Sequence, residues 1–303
     1  MTQPTTASMG WAAQLGTISE STYGTPPGAV TEGFVFASES VRKRALIVER
    51  NGIRGSRSHV ADDTRQGPYQ VMGSLVLEPT PADLSIWLPR ILGGAPSSGT
   101  YPLSDTLPSF TLSIDRVAKV FTYAGCKVNR ATFQGSKGGM VRLTLDIAGQ
   151  SETIAAAGSF PTLSPSTEHG PYIFSGDPTL TLAGVSREVA DFELAIDNRL
   201  VTDRFMNSIT VVTLPEGDRM ITLRTTHAWA SQNTDLYNQA LAGAAGALAF
   251  SNGGSSTAFN FGALQVPAES PGTAGKQEIL LRLNMVARKT GSTLELSVTN
   301  TAA

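Results

Sequence analysis

The feature that most constrains this chain is a two-residue alternation of apolar and polar side chains, because it limits the backbone conformations that can bury the apolar ones. Successive side chains of a β-strand point to opposite faces, so alternation is typical of a strand with one buried face. The clearest example covers residues 141–147, where every second residue is apolar. The same alternation recurs over residues 281–285 and 294–298. The chain is therefore predicted to be mainly β.

Two segments favour helices. In the first, Thr80 is suited to cap a helix and Pro81 to begin it, and an apolar stripe follows at helical spacing up to a stop at Gly93. The stripe consists of Leu84, Trp87, Leu88, Ile91 and Leu92. Pro89 interrupts the pattern and is expected to kink or shorten the helix, because proline removes a backbone hydrogen bond. The second predicted helix covers residues 234–242.

Segments from the two halves of the chain match at a nearly constant separation, which indicates an internal repeat. Shared alternation alone would not also align Asn51 with Asn198, or one predicted helix with the other. The remaining matches pair residues 34–37 with 180–183, Arg57 with Arg204, Leu75 and Leu77 with Ile221 and Leu223, Phe110 and Leu112 with Phe259 and Phe261, and residues 141–143 with 281–283. We therefore expect two tandem related domains, residues 33–155 and 156–303.

Each domain is predicted to be a β-sandwich or partial barrel with one flanking helix. Residues 1–32 lack a sustained periodicity and contain a Pro-Pro-Gly turn signal, so they are predicted to form an extended N-terminal arm outside either core. Two polar connections are expected to form projecting hairpins. The first covers residues 54–68, and the second is a turn at residues 215–218 between strands at 208–214 and 219–226.

Only 16% of the 303 residues are charged, against about 25% in a typical soluble protein. Interface cores are depleted in charge, so this composition favours a protein that assembles with other chains. The net charge of −2 argues against nucleic-acid recognition, which needs a concentrated surplus of Lys and Arg. Cys126 is the only cysteine, and neither a secretory signal nor a membrane span is predicted. A reducing cytoplasm is the expected site of synthesis.

Three short motifs match the signatures of penicillin-recognising serine enzymes, in the order that those enzymes have them. They are Ser40-Val41-Arg42-Lys43, Ser231-Gln232-Asn233 and Lys289-Thr290-Gly291. Ser40 would be the nucleophile and Lys43 its base, at the start of a buried helix. Here Ser40 lies between segments with strand patterns, so the structural context that gives the motif its meaning is not predicted.

No other pattern indicates catalysis. The histidines are too widely spaced for a zinc site; they are His59, His169 and His227. Residues 272–276 lack the spacing of a phosphate-binding loop. We therefore predict that the protein is not an enzyme and has no catalytic residue, no bound cofactor and no metal site.

Several segments resemble a known family of assembly proteins. Residues 16–25, with the sequence GTISESTYGT, and the following residues 34–36 and 38–40 resemble the start of the tail tube proteins (major tail proteins) of long-tailed bacteriophages. Residues 107–112, 123–129 and 141–149 are similar to the same family. The resemblance covers most of the chain, although none of its segments is a sharp fingerprint.

This resemblance implies a structural virion protein whose β-domains form rings around a channel, with stacked rings making a tube for DNA delivery. The implied partners are further copies of the chain, the tape measure protein, the tail terminator and the baseplate or distal tail proteins. DNA would be a non-specific cargo, and no membrane is involved. The alternative is another virion or secretion-tube component with a similar β-domain.

The repeat bears on how many chains form one ring. Tail tubes of the family present six similar domains around the channel, so a chain with two domains is expected to form a trimer with approximate sixfold symmetry. In the alternative ring, six chains each place one half at the channel and the other outside. A neutral to acidic wall is expected, because it does not retain DNA phosphates. Residues 1–32 and 54–68 are expected to connect successive rings.

Overall fold

The computed structural model describes residues 7–165, 170–230, 235, 242–266, 272–273 and 275–302. These residues are mainly β, as predicted, and among them 18 strands are joined in one antiparallel sheet that does not close on itself. The first half contains β1 (Gln14–Ser19), β2 (Glu32–Phe34), β3 (Ser38–Glu39), β4 (Arg42–Glu49), β5 (Thr64–Leu77), β6 (Thr100–Pro102), β7 (Phe110–Asp115), β8 (Lys119–Ser136), β9 (Arg142–Gly149) and β10 (Ser151–Ala156). One α-helix, α1 (Pro81–Leu92), and two short 3-10 helices, Gly10–Ala12 and Ala61–Asp63, complete this half.

The second half continues the sheet. Its strands are β11 (Pro178–Leu182), β12 (Val185–Arg187), β13 (Asp191–Asp197), β14 (Met220–Ala228), β15 (Ala244–Asn252), β16 (Ser255–Gln265), β17 (Leu280–Arg288) and β18 (Leu296–Thr301). The helix expected over residues 234–242 lies, apart from Asp235 and Ala242, outside the described residues.

Strand β8 is the longest element and belongs to two layers. Its first part pairs with β7 and β10, which form an outer layer with β1 and β2. Its second part pairs with β9 on one edge and with β13 of the second half on the other. An inner layer results, in which β5, β9, β8, β13, β14 and β17 are paired in that order across both halves.

The two halves share one order of strand pairing. In the outer layer, β1–β7–β8–β10 of the first half corresponds to β11–β15–β16–β18 of the second. In the inner layer, β4–β5–β9–β8 corresponds to β13–β14–β17–β16. This correspondence supports an internal repeat. The proposed boundary between residues 155 and 156 stays a prediction.

Some residue matches proposed for the repeat are wrong, whereas others agree with the pairing order. Residues 141–143 and 281–283 lie at the start of the corresponding strands β9 and β17. Phe110 lies on β7 but its proposed match Phe259 lies on β16, which corresponds to β8. Similarly, residues 34–37 begin on β2, whereas residues 180–183 begin on β11, the counterpart of β1. Alternating apolar residues resemble each other on any two strands, so the pattern could not identify the correct partner.

Helix α1 has the predicted start and end. The Thr80 side chain accepts a hydrogen bond from the Asp83 backbone, Asp83 accepts one from the Thr80 backbone in return, and Gly93 ends the helix with a left-handed φ of 85°. The expectation that Pro89 shortens the helix is wrong, because α1 continues through Pro89 to Leu92. Pro89 lies in the last turn, and its carbonyl accepts the Gly93 N–H at 2.8 Å.

Trp87 of α1 is fully buried at the centre of the first-half core. Its ring centroid lies 5.1 Å from that of Phe34 and 5.6 Å from that of Phe110. Arg90, one turn later, is also buried, and its guanidinium lies against the rings of Trp87 and Phe110. The helix therefore brings a positive charge into an aromatic core.

The buried charge of Arg90 connects α1 to the N-terminal strands. Arg90 donates to Glu32 Oε2 at 2.6 Å, to Thr17 Oγ1 at 2.8 Å and to Ser19 Oγ at 3.2 Å. The prediction that residues 1–32 form an arm outside the core is therefore wrong for β1, which also pairs with β7 along its whole length. Thr17 of β1 is fully buried, and Arg90 satisfies its hydroxyl. Because this buried position is polar, the sequence of β1 lacks the apolar alternation that would have predicted a strand.

The two polar connections differ in structure. The first is a projecting hairpin, as predicted, but its bounds move: β4 and β5 are paired up to Glu49 and Thr64, so the connection covers residues 50–63. The second prediction is wrong, because residues 208–214 form no strand and the segment folds back onto the first half. There Glu216 accepts the Leu107 N–H at 2.8 Å and lies 2.7 Å from Lys127 Nζ.

Glu32→Ala should strongly destabilise the protein, because it leaves the buried guanidinium of Arg90 without its counter-charge. We expect the free energy of unfolding to fall by about 3 kcal/mol, measured by urea denaturation. Glu193→Ala is the control, because its partner Arg224 is 61% exposed and such pairs contribute about 1 kcal/mol or less. Equal losses from the two variants would contradict a special role for the Arg90–Glu32 pair.

Candidate assembly surfaces

The inner layer has one face on the core and one face that carries polar side chains. We call the second face the polar face. It borders a hollow of about 790 Å³ that is lined from both halves. Its residues alternate along each strand with those on the core side. They include Ser74 and Val76 of β5, Arg142, Thr144 and Asp146 of β9, Arg130, Thr132 and Gln134 of β8, Glu193, Ala195 and Asp197 of β13, Thr222 and Arg224 of β14, and Arg282 and Asn284 of β17.

One row of the polar face places a cation between two carboxylates. Arg130 is directly opposite Asp146 on β9 and directly opposite Asp197 on β13. Burial raises the pKa of Asp146, the positive charge of Arg130 opposes that rise, and Asp197 adds to it. The charge of Arg130 therefore lies between one carboxylate of the first half and one of the second.

A second row alternates charges across the junction of the halves. Glu193 on β13 accepts a hydrogen bond from Gln134 on β8 at 3.0 Å and lies 3.4 Å from Arg224 on β14. Arg142 of β9 is directly opposite Gln134 of β8 and lies 3.8 Å from Glu78. Positive and negative groups thus neutralise one another along this row.

Between the two charged rows lies an uncharged one. Its members are directly paired across six strands and are all small or β-branched: Val76, Thr144, Thr132, Ala195, Thr222 and Val286. The polar face therefore presents a neutral band flanked by balanced charges. Such a surface lacks the concentrated positive charge that retains nucleic-acid phosphates.

The junction between the halves extends beyond the pairing of β8 with β13. The Val141 N–H donates to the Tyr172 carbonyl at 2.8 Å, and the Phe174 N–H donates to the Gly139 carbonyl at 3.0 Å. Phe174 and Phe192 stack with ring centroids 6.0 Å apart and cover Gly135 of β8, where any side chain would collide with both rings. The segment that leads into the second half is thus attached to the first.

The projecting hairpin of β4, β5 and residues 50–63 is the second candidate surface. We call this hairpin the arm; the name does not refer to the N-terminal residues 1–32. Its apolar side chains are unusually exposed for their size: Leu46, Ile47, Val48, Ile53 and Val60. At its end, Arg54 forms an ion pair with Asp63, and His59 lies 2.7 Å from Glu49. An arm with this much exposed apolar surface is typical of a protein-binding element.

The structure separates the groups that the serine-enzyme motif would bring together. The Ser40 hydroxyl lies 3.1 Å from the Ser74 hydroxyl, in the two-residue connection between β3 and β4 that continues beside β5. The Lys43 ammonium instead lies 4.1 Å from the centre of the Tyr69 ring. Thr290 of the third motif forms a bridge with Thr293, and residues 231–233 of the second motif are outside the described residues.

The two histidines that the structure describes belong to no metal-ligating cluster. His59 is exposed on the arm, where its hydrogen bond and charge interaction with Glu49 raise its pKa. His227 is fully buried; burial lowers its pKa, and its ring nitrogens contact Thr225 Oγ1 and the Glu188 carbonyl. His169 is outside the described residues. Within the described ranges, no three metal-ligating side chains cluster, and no helix is long and apolar enough to cross a bilayer.

Sequence reasoning did not identify the polar face or the junction. A signal for the face exists, because the polar positions of the alternating strands, such as Arg142, Thr144 and Asp146, must share one side. The junction depends on contacts between residues far apart in the chain, such as Gly135 with Phe192, and no local pattern reveals these.

One comparison with known proteins identifies a family. Residues 10–287 match the family described as phage tail tube protein. No curated protein sequence matches the chain.

Arg130→Gln should make stability more dependent on pH. Without the cation, the pKa of Asp146 rises further above its unfolded value, so the ionised carboxylate destabilises the fold at pH 7. This loss disappears below about pH 3, where the acid is protonated in both states. Urea denaturation at both pH values should show a larger deficit relative to wild type at pH 7. Arg142→Gln, at a more exposed position of the same face, is the control; an equal pH dependence there would contradict the role of Arg130.

Proposed function

Because the chain belongs to the phage tail tube family, a family of structural proteins of the virion tail, we propose that three copies close into a ring and that stacked rings form the tube through which DNA leaves the virion. The observation that carries this proposal is the inner layer, in which strands of both halves form one continuous sheet with a repeated pairing order. Three such sheets supply six similar units around an axis, in a ring of threefold symmetry.

The polar face is the proposed channel wall. Its rows of Arg, Asp and Glu are closely balanced, and its central row is uncharged. DNA is retained by clusters of Lys and Arg, so a wall of this kind lets DNA pass as a non-specific cargo. The earlier expectation of a neutral to acidic wall becomes more specific: we propose a neutral band between charged rows that compensate internally.

The arrangement of the junction favours three chains over six. In the six-chain ring, one half would line the channel and the other would lie outside. Here β8 and β13 are neighbours in one sheet, so the polar residues of both halves lie on the same face. Both halves of each chain can therefore line the channel wall. Each chain then contributes two of the six units, so three chains complete the ring.

The arm is the proposed contact between successive rings. Its exposed Ile47 and Ile53 need a partner surface, and residues 50–63 extend beyond the part of β5 that pairs with β9. The N-terminal contribution that was expected from residues 1–32 is reduced, because β1 and β2 belong to the first-half sheet. Of the described residues in this range, 7–13 and the exposed residues 25–29 between β1 and β2 stay available for such a contact.

The family also suggests the other partners. We propose that the ends of the tube bind the tail terminator and the baseplate or distal tail proteins, and that the channel holds the tape measure protein during assembly. Synthesis in the host cytoplasm accords with the single cysteine, Cys126, which is fully buried as a free thiol.

A reconstruction of the purified assembly should show rings of three chains with both halves at the channel. Electron microscopy of negatively stained and frozen samples measures this directly. Six chains per ring, or a channel lined by one half alone, would contradict the trimer. Absence of rings and tubes from concentrated, folded protein would contradict the tube itself.

Shortening the arm should abolish long tubes without unfolding the protein. Glu49 and Thr64 are directly opposite in the hairpin, so an Asn-Gly turn can replace residues 50–63 without disturbing the strands. We expect the variant to unfold in urea like wild type but to form only isolated rings in micrographs. The double variant Ile47→Ser and Ile53→Ser keeps the arm length and tests the apolar contact alone. Normal tubes from both variants would exclude the arm as the contact between rings.

A further inference from the structure

One pair of corresponding connections differs in structure between the halves. The pairing order of the inner layer makes β13 and β14 the counterparts of β4 and β5. The connection between β4 and β5, residues 50–63, projects as the end of the arm, whereas the connection between β13 and β14, residues 198–219, folds back onto the first half. We call residues 198–219 the return loop. Each chain therefore has one arm and one return loop, where an exact repeat would have two arms.

The return loop is held together by its own backbone hydrogen bonds. The Val201 N–H donates to the Pro215 carbonyl at 2.9 Å, and the Val212 N–H donates to the Arg204 carbonyl at 3.0 Å. The two sides of the loop thus run next to each other, as in a compact surface loop with adjacent ends. The loop is therefore a structured element that can support another one.

The return loop is anchored on the first half at a distance from the arm. Lys127 Nζ of β8 donates to the Leu214 carbonyl at 3.2 Å and lies 2.7 Å from Glu216. A small apolar cluster joins three residues of the loop to two of the first half: Leu200, Val211, Leu214, Leu107 and Ala148. These contacts hold the loop in place without any contribution from the arm.

Another part of the return loop contacts the base of the arm. Strand β9 pairs with β5 no further than Val71. Immediately beyond that point, the Tyr69 N–H donates to the Ile209 carbonyl at 2.9 Å, and Gln70 Nε2 donates to the Thr202 carbonyl at 3.0 Å. The return loop therefore replaces β9 as the neighbour of β5 where the arm leaves the inner layer.

The arm depends on support at this point. Beyond Tyr69 its paired strands are β4 and β5, and a two-stranded hairpin alone is marginally stable in water. Tyr69 is buried on β5, it is directly opposite Ala45 of β4, and its ring centre lies 4.1 Å from the Lys43 ammonium of β4. A hydrogen bond that holds Tyr69 therefore restrains both strands of the arm.

We propose that the return loop is a buttress that fixes the direction of the arm, so that the second half of each chain positions the arm of its own first half. Tyr69 and Gln70 are the positioning residues. The consequence for assembly rests on the proposed role of the arm between rings: an arm already held in one direction loses less conformational entropy when the next ring binds.

Gln70→Ala should loosen the base of the arm without unfolding the protein. Hydrogen–deuterium exchange of the dilute, unassembled chain, measured by mass spectrometry, should be about fivefold faster in residues 64–70, because one of the two hydrogen bonds to the return loop is lost. Gln134→Ala is the matched control, since Gln134 also donates one side-chain hydrogen bond at 3.0 Å but does so on the polar face. Both variants should unfold in urea alike. Equal exchange of residues 64–70 in the two variants would exclude Gln70 as a positioning residue.

Shortening the return loop tests the buttress as a whole. The bonded Val201 and Pro215 can be joined by an Asn-Gly turn in place of residues 202–214, which removes both contacts with β5. A fluorophore on Arg57→Cys, at the exposed end of the arm, should then show a larger fast component in its anisotropy decay. Cys126 is fully buried, so labelling is confined to the introduced thiol.

The control for the shortened loop is the same fluorophore on Lys119→Cys, which is exposed at the start of β8. Its anisotropy decay should be the same with the short and the full loop, which shows that the first half stays folded. Equal mobility of the label on Arg57→Cys with either loop would overturn the buttress.

Micrographs of the same variants separate this inference from the proposed function. A mobile arm together with fewer and shorter tubes would support the buttress and its consequence for stacking. A mobile arm with tubes of normal length would support the buttress and contradict that consequence. Short tubes from a chain whose arm is as rigid as in wild type would overturn the inference and leave the proposed tube standing.

Discussion

The backbone hydrogen bonding of β8 is the constraint on which the rest of the structure depends. A strand of this length must satisfy its N–H and C=O groups on two edges and in two layers. β8 does so by pairing with β7 and β10 in the outer layer and with β9 and β13 in the inner layer. The first-half core and the junction with the second half therefore share one backbone, and neither can move without the other.

This arrangement also determines where charge is placed. The core side of the inner layer is apolar, so its other side must carry the polar residues, and strands from both halves align them in rows. Arg130 shows the result, because the two neighbouring strands place Asp146 and Asp197 directly opposite it. A face with internal compensation has little net field, which accords with the proposed role of this face as the wall of a conduit for a polyanion.

Local sequence patterns predicted much of the fold. The alternation at residues 141–147 identified β9, and the cap at Thr80 with the stop at Gly93 identified α1, because both signals are local and have a direct physical cause. β1 was missed since its burial depends on Thr17 and its partner Arg90 from a distant helix. The polar face was foreseeable from alternation, whereas the junction at Gly135 was not, because it depends on which distant rings meet there.

The position of β8 in the chain has a consequence for the order of folding during synthesis. β8 emerges from the ribosome before β13, which is its partner on the second inner edge. Nascent chains fold from the N-terminus, so the first half must wait with that edge unsatisfied until the second half has been made. During this interval an unfinished chain offers neighbouring nascent chains the same edge that it later covers itself. The time needed to synthesise residues 137–197 thus sets how long this edge of β8 stays without its own partner.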